Sequence, residues 1–433
     1  MRFPFYRSHC AELTLSIMSC LHPFDPKTWP FNITDLPPGA YLVGGAVRDG
    51  LLNRQKNHWD LDMILPTDVI PLARGLAQKY QTGLVILDAE RRIARLIFPR
   101  LTLDLCQMQG EDITADLSQR DFTINAIAWD CHSHELYDPH HGRQDLETQT
   151  IRMVLFENLR ADPLRLLRAY RLAAQLGFTI ELPTRQAIQY LAALIIHIAP
   201  ERVQNELALL LDSHPCSPYL IQGWQDGVLT PWFPEIQPHW MHLCHRWDHF
   251  LATYPQLTPY LQRQIRPGRS VLNTLKLRCL LPENYQPAQH PLTRLRYSRS
   301  EMQYMEKLIL LWPILQSLLS VSEPPIPAQF DLFQQAGSVF PGLVAMALVH
   351  DYPWSVVAPW LARYENPDDP VAHALPLVTG HDLMAHLGMT PGPQVGELLH
   401  RLALAHAQGE VKTPTAALER AAALCTEMNG RWD

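Results

Sequence analysis

The spacing of apolar and polar residues changes character about one third of the way along the chain. Before residue 150 the apolar residues come in short runs, Tyr41-Leu42-Val43, Leu61 to Leu65, Leu84 to Leu87, Ile93 to Phe98 and Leu101 to Cys106. Such runs are too short for stable helices and read as strands. Between them, Asp68 to Tyr80 carries apolar residues at 69, 72, 73, 76 and 77, a helical stripe with Asp68 as its N-cap. Asp88-Ala89-Glu90-Arg91 has the polar character of a hairpin turn. After Ile151 the pattern becomes long and Leu/Ala-rich: Pro163 to Leu176, Arg185 to Ile195, Val203 to Leu211, Met302 to Leu319 and Val395 to Ala407, with prolines in the breaks. The expected class is therefore α+β, a small mixed sheet followed by an all-helical remainder.

Composition narrows this picture. Charged residues are 18% of the 433, below the usual quarter of about 25%, which excludes bulk disorder. Pro is abundant at 37 and Gly scarce at 20, as suits many short helices. The net charge of −7 provides no global attraction for nucleic acid, so RNA contacts would rest on local clusters such as Arg263, Arg266 and Arg269, or Arg294, Arg296 and Arg299. No apolar run reaches the roughly 18 residues of a membrane span; Leu308 to Leu319 is short and holds Pro313. The eight cysteines form no CxxC, which fits reduced thiols in a cytoplasmic protein. Met1 to Cys20 reads as an extension, with Met18 as an alternative start.

Three stretches carry chemistry. In the first, Gly44-Gly45-Ala46-Val47-Arg48-Asp49 follows a strand and precedes Trp59-Asp60-Leu61-Asp62. The two glycines let backbone amides approach phosphate oxygens, and Arg48 adds a charge-assisted donor. Asp60 and Asp62, two apart in a strand, point to one face about 7 Å apart. Two such carboxylates repel unless a cation lies between them, and hard oxygen ligands with open positions suit Mg²⁺. An isolated Asp-x-Asp is an ordinary solvated strand edge; the glycine turn and arginine upstream are what raise this one above that. Asp104, between Leu103 and Leu105, is a candidate third carboxylate.

In the second stretch, Arg120-Asp121-Phe122-Thr123-Ile124-Asn125, Arg120 can clamp a triphosphate and Asn125 can bond a ribose hydroxyl. The plain alternative is a helix start, with Asp121 capping and Phe122 packed. The third runs from Asp162-Pro163 through Arg165, Arg168 and Arg171. Asp162 as N-cap and Pro163 at the first helical position put Asp162 beside Arg165. An Asp acceptor next to an Arg donor matches the Watson–Crick edge of cytosine or adenine and mismatches uracil and guanine. Arg168 and Arg171 continue along the helix toward phosphates. The plain reading is a capped helix with solvated charges. His239, His242, Cys244, His245 and His249 share one predicted helix and could bind Zn²⁺, but aromatic neighbours favour ordinary packing, and His350-Asp351 alone is a weak metal dipeptide.

The order GGAVRD, DLD, RDFTINA and ADPLRLLRAYRLAAQLGF resembles the successive motifs of class II tRNA nucleotidyltransferases and bacterial poly(A) polymerases. The resemblance is close over residues 38 to 180 and looser beyond, through Gly227-Val228-Leu229, Trp232-Phe233-Pro234-Glu235, Leu295 to Glu301, Thr379 to Leu383 and Pro391 to Leu399. It implies an N-terminal extension at 1–37, a polymerase-β-like nucleotidyltransferase head at 38–150, a helical base-reading neck at 151–240 and a helical, RNA-binding body and tail at 241–433. Asp60 and Asp62 would bind Mg²⁺, with Asp104 as further catalytic carboxylate. Gly44, Gly45, Arg48, Asp49, Arg120, Asp121 and Asn125 would hold the triphosphate and ribose, and Asp162, Arg165, Arg168 and Arg171 would serve base recognition. The implied partners are CTP, ATP and the tRNA acceptor end. Two departures stand out. Ala161 occupies a position where many members have Glu, so another residue must orient Asp162. The connector from Asp104 to Arg120 is short, where members that complete the CCA end carry a longer flexible loop; this predicts addition that stops at CC, a second enzyme then finishing the end, or addition of C more readily than A. A poly(A) polymerase acting on other RNAs and a silent RNA-binding protein of the same fold are the rivals.

Overall fold

The computed structural model describes residues 22–429, so the expected extension and its alternative start lie mostly outside the described residues. The chain divides into two compact units, Met1–Ala161 with Phe178–Thr184, and Asp162–Gly177 with Arg185–Asp433.

The first unit is built on β1 (Tyr41–Val43), α1 (Gly45–Leu51), β2 (Trp59–Leu65), α2 (Val69–Tyr80), β3 (Gly83–Asp88), β4 (Ile93–Phe98), β5 (Leu101–Gln107), α3 (Ile113–Leu117), β6 (Ala128–Asp130), β7 (Leu136–Tyr137), α4 (Gly142–Glu147), β8 (Thr150–Ile151) and α5 (Phe156–Ala161). Seven strands form one sheet in the order β3-β4-β5-β2-β1-β6-β7. Only β2 and β5 run parallel; the other pairings are antiparallel. The expected Asp68 N-cap is present, its carboxylate accepting from Ile70 N at 3.0 Å. The turn after β3 is closed by Asp88 accepting from Arg91 N at 2.9 Å. β6 and β7 gave no sequence signal because each is two or three residues long. One sheet face carries the fully buried row Leu61, Met63, Leu65, Leu96, Leu101, Leu103 and Leu105. On the other face α3 contributes Ile113 and Leu117 to a smaller core with Val43, Ile64, Ala126 and Ala128.

The second unit opens with α6 (Leu164–Leu176); β9 (Thr179–Ile180), which pairs with β8, returns to the first unit. Next come α7 (Leu182–Leu191), which belongs to the second unit from Arg185 onward, and α8 (Pro200–Asp212), the latter started by Pro200 at its first turn. Further on, Arg299–Leu319 begins with a capping box in which Ser298 and Glu301 bond reciprocally. Every residue of Phe340–Val349 is buried, making it a central core helix. The stretch Ile326–Val349 is apolar and long enough to cross a membrane, a stronger candidate than Leu308 to Leu319, yet 78% of its apolar window is buried inside the unit. The tail helices Gly380–Leu387, Pro393–Ala407 and Pro414–Asn429 share a separate core around Leu383, Leu398, Leu402 and Ala417. The Thr379-to-Leu383 motif is a capping box, Thr379 with Asp382.

Candidate active site

The register of the sheet gathers the acids. Asp62 lies opposite Asp104 across the parallel β2–β5 pair, and Asp60 lies opposite Thr102. Paired positions share a face, so all three carboxylates emerge on the side partly covered by α3. The Asp60 side chain is 77% exposed, with His58 Nε2 at 3.8 Å. Asp62 is half-buried. Asp104 is engaged differently: Arg95, its partner across β4–β5, donates Nε to Oδ1 and Nη2 to Oδ2, both at 2.7 Å. Among the described residues no set of three or more His, Cys, Asp and Glu converges as a closed metal cage. An exposed carboxylate and a half-buried one on the same face suit an oxygen-coordinated cation that keeps open positions. The nearby Cys106 thiol is half-buried; desolvation, with Asp62 and Asp104, pushes it up to about 12.

Gly44 is the hinge of this arrangement. Its φ of +71° and ψ of −134° connect β1 to α1 in a conformation that a side chain would strain. A Cβ there would lie 3.2 Å from Arg120 Nη1 and 3.4 Å from Asp62 Oδ2. Arg120 is thus folded over the glycine beside the acid. Its Nη2 reaches Asp116 at 3.5 Å, while its buried Nε has no hydrogen-bond partner among the described residues. Such an orphaned donor is the mark of a group awaiting an acceptor.

Arg48, expected as a charge-assisted donor to phosphate, is buried and engaged within the protein. Nη1 donates to Asn125 Oδ1 at 2.8 Å and Nε to Asp49 Oδ1 at 2.9 Å. Burial would raise the Asp49 carboxyl, but the Arg48 charge and the Lys56 ammonium outweigh it and hold it below the usual range. Asn125 in turn donates Nδ2 to Asp121 Oδ1 at 3.0 Å, which also accepts from Phe122 N at 2.8 Å. The expected helix start here is a single 3-10 turn, Thr123–Asn125, with Phe122 fully buried. Arg48, Asp49, Asp121 and Asn125 therefore form one buried network under the glycine turn, whereas Arg120, Asp62 and Asp60 lie nearer the surface.

In the second unit, the helix starts one residue later than expected, so that Pro163 and not Asp162 is its N-cap. α6 begins at Leu164 with Pro163 at the boundary, and Asp162 accepts from Leu164 N at 3.3 Å and, through its carbonyl, from Arg165 N at 3.0 Å. The residue that orients its carboxylate is Arg202 of α8, whose Nη2 donates to Oδ2 at 2.8 Å. Arg165 and Arg168 are half-buried, Arg168 lying 3.8 Å from Glu206. Arg171 does not run toward solvent. It is buried, with Nε on Glu206 at 2.5 Å and Nη1 on Gln175 at 2.7 Å, and so ties α6 to α8. Arg269 is likewise buried, bonding Asn205 at 3.0 Å, and Arg294 lies 4.7 Å from the centre of the Trp232 ring, so neither cluster is a plain solvated face. Of the histidine helix, His245 bonds Ser217 at 2.8 Å and His239 lies 3.3 Å from Glu283. Asp351 pairs with Arg246 at 2.5 Å.

Residues 40–114 and 106–152 match the Poly A polymerase head domain, residues 177–239 match a family described as "Probable RNA and SrmB-binding site of polymerase A", and residues 343–422 match tRNA nucleotidyltransferase domain 2. A CC-adding tRNA nucleotidyltransferase of Synechocystis sp. is 38% identical over 395 residues, covering 90% of this chain and 94% of the relative. The chain belongs to the class II tRNA nucleotidyltransferase family. An A-adding tRNA nucleotidyltransferase of Deinococcus radiodurans is 32% identical over 425 residues, covering 87% of this chain and 94% of its own length. Among solved structures, a CCA-adding enzyme with CTP has a TM-score of 0.72 at 21% identity, covering 89% of this chain and 91% of that one. The Thermotoga maritima CCA-adding enzyme with tRNA has 0.68 at 21% identity, with the same coverages, and both likenesses bear on fold. The family uses a divalent metal.

Within this nucleotidyltransferase, several residues central to the site geometry escaped sequence reasoning. Arg95 had a signal, a lone cation inside the apolar strand Ile93 to Phe98. Arg202 had none beyond its place in a helix. Asp226 also had none, yet it is buried and accepts from Tyr170 Oη at 2.7 Å, from Arg185 at 2.7 and 2.8 Å and from Gln189 at 2.6 Å. That network fixes α6 against α7.

Proposed function

We propose that this enzyme adds C residues from CTP to the 3′ end of tRNA lacking its CCA terminus, with Mg²⁺ as the metal, and that it stops after the second C. The RNA 3′-hydroxyl would attack the nucleotide α-phosphate, and pyrophosphate would leave. Mg²⁺ held by Asp60 and Asp62 would activate the hydroxyl and stabilise the charge developing on the phosphate. Arg120, with its buried unpartnered Nε, is the residue best suited to donate to phosphate oxygens. The Arg48, Asp49, Asn125 and Asp121 network keeps the turn beneath it rigid, so those residues act mainly through position. Asp162 with Arg165 would choose the base, Arg202 filling the orienting role that Ala161 cannot. Asp104 remains a candidate third carboxylate beside Asp62.

The observation that carries the CC restriction is the connector. Between β5 and Arg120 it is not a loose loop. Asp112 caps α3 through Ala115 N at 2.8 Å, Asp116 accepts from Gln109 N at 2.9 Å, and Ile113 and Leu117 are buried. A segment pinned at both ends has little reach for the rearrangement that switching from C to A requires. The CC-adding relatives support the same reading. On this reading a second enzyme adds the terminal A, and we place the activity in the cytoplasm. The test is to incubate purified protein with tRNA ending at the discriminator base, with CTP, ATP or both, and to size the product at single-nucleotide resolution. Extension by two C and no A is expected. Efficient addition of a full CCA overturns the restriction, and long ATP-only tails would indicate a poly(A) polymerase.

A further inference from the structure

Past the acids, the same sheet face continues across β4 and β3 and stays exposed. The register forms two cross-strand rows: Asp62, Asp104, Arg95 and Val85 in one, and Asp60, Thr102, Ile97 and Gly83 in the other. Ile97 is 49% exposed and Val85 44%, although both lie in the interior of their strands. Adjacent strands are about 4.8 Å apart, so Arg95 lies roughly 10 Å and Val85 roughly 14 Å from Asp62 along the row. That distance matches the last few nucleotides of an RNA strand whose 3′-hydroxyl is at Asp60 and Asp62. The Arg95 guanidinium commits one edge, Nε and Nη2, to Asp104; among the described residues Nη1 makes no hydrogen bond, and the side chain is 41% exposed. An RNA strand brought onto a face bearing three carboxylates is repelled unless a cation meets its backbone.

We propose that Arg95, Val85 and Ile97 form the seat for the 3′-terminal nucleotides of the RNA substrate, Arg95 holding a backbone phosphate through Nη1 while Ile97 and Val85 pack against ribose and base. Asp104 orients Arg95 in this role by fixing the opposite edge of its fork. The proposal rests on the nucleotidyltransferase reading above and adds the place where the acceptor strand lies. β3 is also an edge strand, which could pair with another polypeptide strand. The cation in the row, and the row's continuity with the acids, favour RNA.

The test compares Arg95→Ala, Arg95→Lys and the double variant Val85→Ser/Ile97→Ser, in steady-state CMP addition to tRNA ending at the discriminator base. For Arg95→Ala the KM for tRNA should rise about tenfold with the KM for CTP unchanged, and the log–log salt dependence of tRNA affinity should flatten by about 0.7, the loss of one single-strand phosphate contact. Arg95→Lys should restore most of the affinity, because a phosphate accepts a point charge. The apolar double variant should raise the KM for tRNA without changing the salt slope. A change confined to kcat or to the KM for CTP, with no rescue by lysine, would overturn the proposal and leave Arg95 acting only through Asp104. Dimeric wild type made monomeric by the double variant, with tRNA kinetics intact, would overturn it in favour of protein pairing at the edge. Failure of the wild type to extend tRNA at all would instead strike the underlying nucleotidyltransferase reading.

Discussion

Replacing Gly44 with Ala separates backbone conformation from chemistry at this site. At φ +71° and ψ −134° a side chain costs about 1–3 kcal/mol of strain. At roughly 2–4 °C per kcal/mol for a domain of this size, the first unit should melt about 2–12 °C lower. The added Cβ would also sit 3.2 Å from Arg120 Nη1 and 3.4 Å from Asp62 Oδ2. Arg120, held by one 3.5 Å contact to Asp116, is the partner that yields, so the fold survives while the guanidinium moves by a few tenths of an ångström. Because misplacement well below 1 Å is already felt at a phosphoryl-transfer centre, kcat/KM for CTP should fall about 10- to 100-fold. Gly45→Ala is the control. Its Cβ meets only Arg48 Nη2, at an ordinary 3.6 Å, and lies on a helix where Ala is favoured over Gly by about 0.5–1 kcal/mol. Differential scanning calorimetry and single-turnover CMP incorporation would read both effects. A Gly44→Ala protein that melts with the wild type and keeps its kcat/KM would refute the reasoning, as would a Gly45→Ala protein that loses as much stability.

Other perturbations have outcomes of defined sign. Gly142→Ala would place a Cβ 2.2 Å from the Thr123 carbonyl oxygen, so it should cost about 2–3 kcal/mol in a denaturant melt by displacing the turn that carries Asn125; an unaffected midpoint would contradict that packing. Arg202→Ala removes the 2.8 Å partner of Asp162, and the ratio of CMP to UMP incorporation should drop about tenfold, the equivalent of one charge-assisted bond; an unchanged ratio would show that Asp162 is oriented by something else. Burial, reinforced by Arg278 and Arg246, pushes the His350 imidazole down to about 4. The unfolded chain therefore takes up that proton first as pH falls. Stability contributed by neutral His350 is intact above about 6.5, is lost between there and about 4, and then levels off. His350→Phe should flatten that portion of the stability curve, and an equal slope in both proteins would refute the assignment.

The sequence alone determined the features that depend on neighbours a few residues away. A strand alternates with period two, so Asp60 and Asp62 had to share a face once the run from 59 to 65 was extended. The Asp68 cap, the turn at Asp88 and the helical remainder follow from equally local rules. The ordered motifs likewise sufficed to indicate the family. Tertiary structure decided which charges face substrate and which face each other. Arg48 and Arg171 looked like available cations but became internal ties, because Asn125 and Glu206 arrive from elsewhere in the fold with their own hydrogen-bonding demands. Arg95 was brought to Asp104 by strand register, and Arg202 to Asp162 by helix packing across 40 residues. A buried or half-buried charge must find a partner, and which one it finds is set by the packing of whole elements rather than by spacing along the chain.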